Sequence, residues 1–167
     1  MFELKPLSAD SISRALEKAE RYRLLNEPAE AESICQDVLR IDPDNQEALV
    51  TLILALTDQF GEGVAGQLAE ARELLPRLAG EYERAYYAGI IAERRGKARL
   101  RVGGPGAWTV GHESVRDAMR HYAGAETLRP PGNDDALLRW NACARLLMRD
   151  RADVPAVAGE RFDPLLE

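Results

Sequence analysis

Helical periodicity runs along almost the whole of this 167-residue chain and restricts the folds open to it. Apolar residues recur at intervals of three and four, as in Ile12, Leu16 and Ala19, which places them on one face of an α-helix. No stretch shows the sustained alternation that is typical of a β-strand. The sequence therefore predicts an all-α protein with helices over about 11–25, 28–41, 46–59, 64–78, 81–95, 114–128 and 134–149.

Proline and glycine mark the predicted ends of these helices. Pro28 suits the first turn of a helix, and Pro43 follows the end of that helix. Pro76 falls inside the fourth apolar stripe, so we expect that helix to kink or stop near Leu75. Residues 101–113 contain three glycines within four positions, which predicts a loop that is mobile or lies across one face of the protein.

Composition and charge exclude several classes of protein. The chain has 22 basic and 28 acidic residues and a net charge of −6, which disfavours a general nucleic-acid binder. Charge is uneven, since residues 1–90 hold 9 basic and 17 acidic side chains whereas residues 91–167 hold 13 and 11. Two cysteines, Cys35 and Cys143, are too few for a disulfide framework and form no metal-binding motif. No leader sequence or membrane-spanning stretch is evident, so a soluble cytoplasmic protein is expected.

Two proline turns share the spacing of the residues before them. Alanine precedes proline by 12 residues both in Ala31 to Pro43 and in Ala118 to Pro130, with Cys35 or Tyr122 four residues after the alanine. This spacing resembles the tetratricopeptide repeat (TPR), a 34-residue unit of two antiparallel helices. The resemblance implies about three repeats plus a capping helix over residues 11–149, stacked as a short right-handed superhelix. It also leaves a glycine-rich insertion at 101–113 and a C-terminal tail at 150–167.

The TPR resemblance implies a binding scaffold whose inner helices line a concave groove. A protein or peptide partner, the chain's own tail or a second copy of the chain would occupy that groove. The candidate groove residues are Leu16, Glu20, Arg23, Val50, Leu54, Tyr86, Ile90 and Glu93. In TPR domains that clamp the C-terminal carboxylate of chaperones, two groove positions of each inner helix carry Lys, Arg or Asn. Here those positions hold none of these residues, so a chaperone-tail role is not expected.

A basic run offers an alternative function from a different class. It comprises Arg94, Arg95, Lys97, Arg99 and Arg101 and is followed by the predicted glycine-rich loop with Trp108. Such a run is typical of a solvated helix end, but it would also suit a phosphorylated ligand or RNA. The loop lacks the Lys and Ser or Thr of a phosphate-binding P-loop.

Catalysis is the least supported hypothesis. His112 is expected in the loop and His121 on a helix surface, and neither belongs to a metal-binding or hydrolase motif. We therefore expect a non-enzymatic protein without cofactor or metal. The apolar residues between Phe162 and Leu166 predict that the tail packs on a helical surface of its own chain or of a second copy in a homodimer.

Overall fold

The computed structural model describes residues 2–61 and 65–152, with the side chains of residues 151 and 152 left aside. Within these ranges all regular secondary structure is helical, which confirms the all-α prediction. The α-helices are α1 (Ile12–Leu24), α2 (Pro28–Ile41), α3 (Gln46–Asp58), α4 (Ala65–Leu74), α5 (Glu81–Val102), α6 (Ala107–Leu128) and α7 (Asp135–Ala152). The predicted tail packing of Phe162 to Leu166 lies outside the described residues.

The first four helices follow the boundaries that their turn residues impose. Asn26 adopts a left-handed conformation with φ of 60°, and Pro28 then begins α2. The side chain of Asn45 caps α3 by accepting a hydrogen bond from the amide of Ala48 at 2.9 Å. As predicted, α4 stops before Pro76, and residues Leu75–Arg77 continue it as a turn of 3-10 helix.

Helix α3 has the central position that its all-round apolar character predicts. It packs against α1, α2, α4 and α5, and most of its side chains are buried. Together these helices enclose a first core, which also receives Ile91 and Ala98 of α5. A second core lies among α5, α6 and α7 and includes Ile90, Tyr122 and Cys143. Helix α5 is therefore a wall shared by both cores.

The predicted loop at 101–113 is wrong. Helix α5 continues to Val102 and α6 begins at Ala107, so each helix has 22 residues and only positions 103–106 connect them. Gly103, Gly104 and Gly106 all have positive φ and form a tight turn instead of an extended insertion. The prediction failed because the turn glycines were taken to extend the loop over residues on both sides of them, which belong to α5 and α6.

Small residues allow α5 and α6 to approach closely. A Cβ atom added to Gly96 would lie 2.8 Å from the carbonyl oxygen of Gly111, so a side chain there would strike the backbone of α6. Gly89 lies in the middle of a helix, where glycine costs stability relative to alanine, so the sequence predicts a close backbone contact there. A Cβ on Gly89 would lie 2.5 Å from the ring of Tyr122 on α6, so the neighbouring helix is close but the contact is with an aromatic side chain.

None of the helices within residues 2–61 and 65–152 combines the length and the apolar character needed to cross a membrane.

Candidate binding cleft

A cleft of about 610 Å³ opens where the C-terminal halves of α3, α5 and α7 face one another. A second depression continues it along α7 and shares Lys97, Leu146 and Arg149 with the first. We call the whole surface the α3/α5/α7 cleft. Its lining comprises Thr57, Asp58, Arg94, Lys97, Leu100, Arg101, Ala142, Arg145, Leu146, Arg149 and Asp150. Five of these side chains are cationic and two are carboxylates, so the cleft is a basic surface on an acidic protein.

One wall of the cleft is held by an arginine–aspartate–arginine bridge. Asp58 of α3 accepts hydrogen bonds from Arg23 of α1 at 2.8 Å and from Arg94 of α5 at 2.6 Å. Arg94 also donates to the carbonyl of Leu54 and to the hydroxyl of Thr57, both on α3. Burial lowers the pKa of Arg94, while the charge of Asp58 opposes that shift. This guanidinium is therefore engaged in joining α5 to α3.

A buried carboxylate anchors a second wall. Glu93 is only 1% exposed. Its carboxylate accepts hydrogen bonds from Lys97 and, at 2.6 Å, from the Tyr122 hydroxyl. A guanidinium nitrogen of Arg139 on α7 lies 3.5 Å from the same carboxylate. Burial alone would raise the pKa of Glu93, but the hydrogen bonds from Lys97 and Tyr122 and the charges of Lys97 and Arg139 hold it below its usual value. Burial and the Glu93 charge raise the pKa of Tyr122. Glu93 therefore fixes the position of the Lys97 ammonium group, and Lys97 lines the cleft.

The third wall is fixed by a contact between α6 and α7. Nε2 of His112 lies 2.9 Å from Oδ2 of Asp150, and the edge of the Trp108 ring lies against the imidazole with ring centres 4.0 Å apart. His112 is 5% exposed, so its prediction as a loop residue is wrong. It became a core residue because α6 begins two turns earlier than expected. His121 does lie on a half-exposed helix surface, as predicted.

Three cations of the cleft are left for a ligand. Arg101 and Arg145 are exposed and form no ion pair with any described residue. Arg149 is 70% exposed at its side chain and touches a carboxylate only through a long contact of 3.4 Å to Asp150. Together with Lys97 they line the cleft alongside two leucines, Leu100 and Leu146. The arrangement suits an anionic group flanked by apolar side chains.

The predicted groove residues are mostly unavailable for binding. Leu16, Ile90 and Glu93 are 3%, 1% and 1% exposed, so the prediction that these three line an open groove is wrong. Three more are half-buried and pack against the cores: Val50, Leu54 and Tyr86. Arg23 is held by Asp58, and Glu20 is exposed. Periodicity placed Leu16, Ile90 and Glu93 on inward helix faces, but it could not show how tightly the neighbouring helices cover them.

The basic run is divided by the structure. Arg94, Lys97 and Arg101 line the cleft, Arg99 donates to the carbonyl of Pro105 in the turn, and Arg95 is half-buried outside the lining. Sequence reasoning missed the cations of α7, Arg145 and Arg149. Their spacing of four residues matches that of Lys97 and Arg101, and this shared pattern was the available signal.

Metal and thiol chemistry find no support among the described residues. No group of three or more His, Cys, Asp or Glu side chains within them could hold a metal ion. Cys35 and Cys143 are buried, and burial raises the pKa of each thiol to about 12.

Comparison with known proteins gives no assignment: no protein-family model matches the chain, and neither curated protein sequences nor solved structures give a match. The TPR interpretation therefore depends on residue spacing and on the order in which the helices pack.

Proposed function

We propose that this protein is a non-catalytic interaction scaffold that binds a segment of a partner protein in the α3/α5/α7 cleft. The observation that carries the proposal is the lining of the cleft, in which cations from α5 and α7 lie alongside Leu100 and Leu146. Arginine beside apolar surface is a composition common at protein interfaces. The fixed walls favour recognition without rearrangement of the scaffold.

The order of helix packing supports a TPR-like architecture for this scaffold. Helices that follow one another in the chain pack together as α1 with α2, α3 with α4, and α5 with α6. First helices of successive pairs also meet, as α1 with α3 and α3 with α5. This pattern is the one in which repeat proteins present a surface built from their first helices, and the cleft lies on such helices.

A binding role fits the polar groups of the cleft better than catalysis does. Asp58 is already bound by Arg23 and Arg94, Asp150 by His112, and the Thr57 hydroxyl lies between Arg94 and the carbonyl of Leu54. A nucleophile or general base would need an oxygen or nitrogen atom that is free to come within hydrogen-bonding distance of the reacting atom of a substrate. We therefore assign these groups to the support of the cleft.

A photo-crosslinking amino acid at position 142 tests the proposal. Ala142 is exposed in the cleft, whereas Ala123 is exposed on α6 and serves as the matched control. In the source cell, position 142 should crosslink to a discrete partner protein that position 123 does not capture. Identical crosslinking patterns at the two positions would remove the cleft as the binding surface.

The alternative function is binding of a phosphorylated ligand or RNA. Within the basic run, only Lys97 and Arg101 still support it. A ligand of this class would be lost on treatment with ribonuclease or phosphatase, whereas an unmodified protein segment would remain bound, so this treatment distinguishes the two functions.

A further inference from the structure

We infer that the α3/α5/α7 cleft recognises an acidic peptide segment, with carboxylate side chains on both sides of an aliphatic residue. This inference rests on the proposed function and specifies the chemistry of the partner. It comes from the lining of the cleft: α5 contributes Lys97 and Arg101, α7 contributes Arg145 and Arg149, and each helix adds one leucine, Leu100 or Leu146. Guanidinium groups pair with carboxylates through two parallel hydrogen bonds, which gives geometric selectivity as well as attraction.

The available cations decide the sign of the partner's charge. Asp58 is shared by two arginines, and Asp150 is occupied by His112 and approached by Arg149. Neither carboxylate is left to attract a basic segment. Arg101 and Arg145, by contrast, form no ion pair with a described residue, so an incoming carboxylate would meet no internal competitor at those two positions.

The apolar side chains of the cleft and its lack of aromatic rings favour a peptide over RNA. The described residues that line the cleft include no aromatic ring on which a base could stack. Leu100 and Leu146 offer contact to an aliphatic side chain instead. None of the four cations occupies a position at which the chaperone-binding TPR domains carry their clamp, so the proposed site is a separate one.

The test is a binding measurement on the full chain with defined synthetic probes. Fluorescence anisotropy would compare a short labelled peptide of alternating glutamate and leucine with its glutamine counterpart of equal length, and with a uridine oligonucleotide. The acidic peptide should bind at least about tenfold more tightly than the glutamine peptide at low salt. Equal affinities, or tighter binding of the oligonucleotide, would overturn the inference.

Charge-reversal variants locate the binding. The double variant Arg145→Glu with Arg149→Glu should weaken binding of the acidic peptide by at least about tenfold, because like charges then face one another. Arg116→Glu with Arg120→Glu reverses two exposed arginines at the same spacing on α6, outside the cleft, and should leave the affinity unchanged. An equal loss in both variants would show binding to the net charge alone and would overturn the inference.

These results are separable from those on the proposed function. A partner crosslinked at position 142 together with failure of the acidic peptide would keep the scaffold and discard the acidic ligand. Absence of crosslinking together with tight, cleft-dependent binding of the peptide would keep the ligand preference and discard the scaffold role.

Discussion

Gly96 and Gly111 determine how closely α5 and α6 can approach. Because a Cβ on Gly96 would lie 2.8 Å from the Gly111 carbonyl oxygen and 2.9 Å from Val115, the backbones must separate to admit even a methyl group. Gly96→Ala should therefore lower the free energy of unfolding by about 1–3 kcal/mol, as overpacked core sites do. Chemical denaturation followed by circular dichroism measures the change.

Gly124 of α6 is the control, and its substitution should change stability in the opposite direction. Nothing lies within 4 Å of a Cβ built there, so Gly124→Ala should stabilise the protein by up to about 1 kcal/mol through helix propensity alone. If both glycine variants shifted stability in the same direction, the close approach of α5 and α6 would be in error.

Glu93 makes stability depend on pH through its lowered pKa. A carboxyl group with a lowered pKa in the folded protein stabilises the fold above its unfolded pKa, near 4.5, and loses that contribution as the pH falls through the folded value. Tyr122→Phe removes one donor from this buried carboxylate. The variant should lose about 1–3 kcal/mol at neutral pH and should unfold in acid at a higher pH than the natural protein.

Tyr87→Phe is the control for that substitution. Tyr87 is half-buried, and its hydroxyl forms no hydrogen bond within the described residues. A pH titration of stability should therefore leave this variant close to the natural protein. An acid midpoint that does not move in Tyr122→Phe would show that the hydroxyl contributes nothing to holding Glu93 ionised.

At the scale of elements, the contact between His112 and Asp150 fixes the end of α7. Two helices of the second core, α6 and α7, meet at this pair, whose side chains are 6% and 14% exposed. His112→Ala should speed amide hydrogen exchange in the last two turns of α7 and leave the first two turns unchanged. His112→Gln restores a donor and should recover part of the protection. Unchanged exchange in His112→Ala would show that packing alone holds the helix end.

The sequence was sufficient to predict that each helix exists, but not where α5 ends or where α6 begins. Periodicity and turn residues gave α1 to α4 closely, because Asn26, Pro28 and Pro76 act locally. The 101–113 segment was misread because its helical residues are stabilised by contacts across the α5–α6 pair, such as that between Gly111 and Leu100. Contacts of this kind leave no local signal.

The candidate site was predictable only in part, for a related reason. The basic run supplied Arg94, Lys97 and Arg101, but the cleft also needs Arg145 and Arg149, which are some 50 residues distant in sequence. Which cations remain free depends on where Asp58, Glu93 and Asp150 lie after folding, and helical spacing does not contain that information.

At the scale of the whole molecule, the shared helix α5 should make the two cores unfold together. Each core contains one buried cysteine, Cys35 in the first and Cys143 in the second, and both thiols have a pKa of about 12. Thiol labelling near neutral pH therefore requires unfolding of the surrounding core. Labelling against urea concentration, read on separate proteolytic peptides, should give coincident midpoints for the two cysteines.

Ile91→Ala tests this coupling. Ile91 is 2% exposed and carries α5 into the first core, so its truncation should cost about 2–5 kcal/mol and shift both cysteine midpoints equally. Leu138→Ala, at a position 61% exposed, should shift neither. A shift confined to Cys35 would mean that the cores are independent units.

The attachment of Lys97 to Glu93 has a consequence for binding energetics. A long cationic side chain normally loses conformational freedom when it captures a ligand, at a cost of about 0.5–1.5 kcal/mol. Here that freedom is already lost when the chain folds, since Glu93 holds the ammonium group from below. Loosening Glu93, for example by removing the Tyr122 hydroxyl from the second core, would therefore make association with the cleft entropically less favourable.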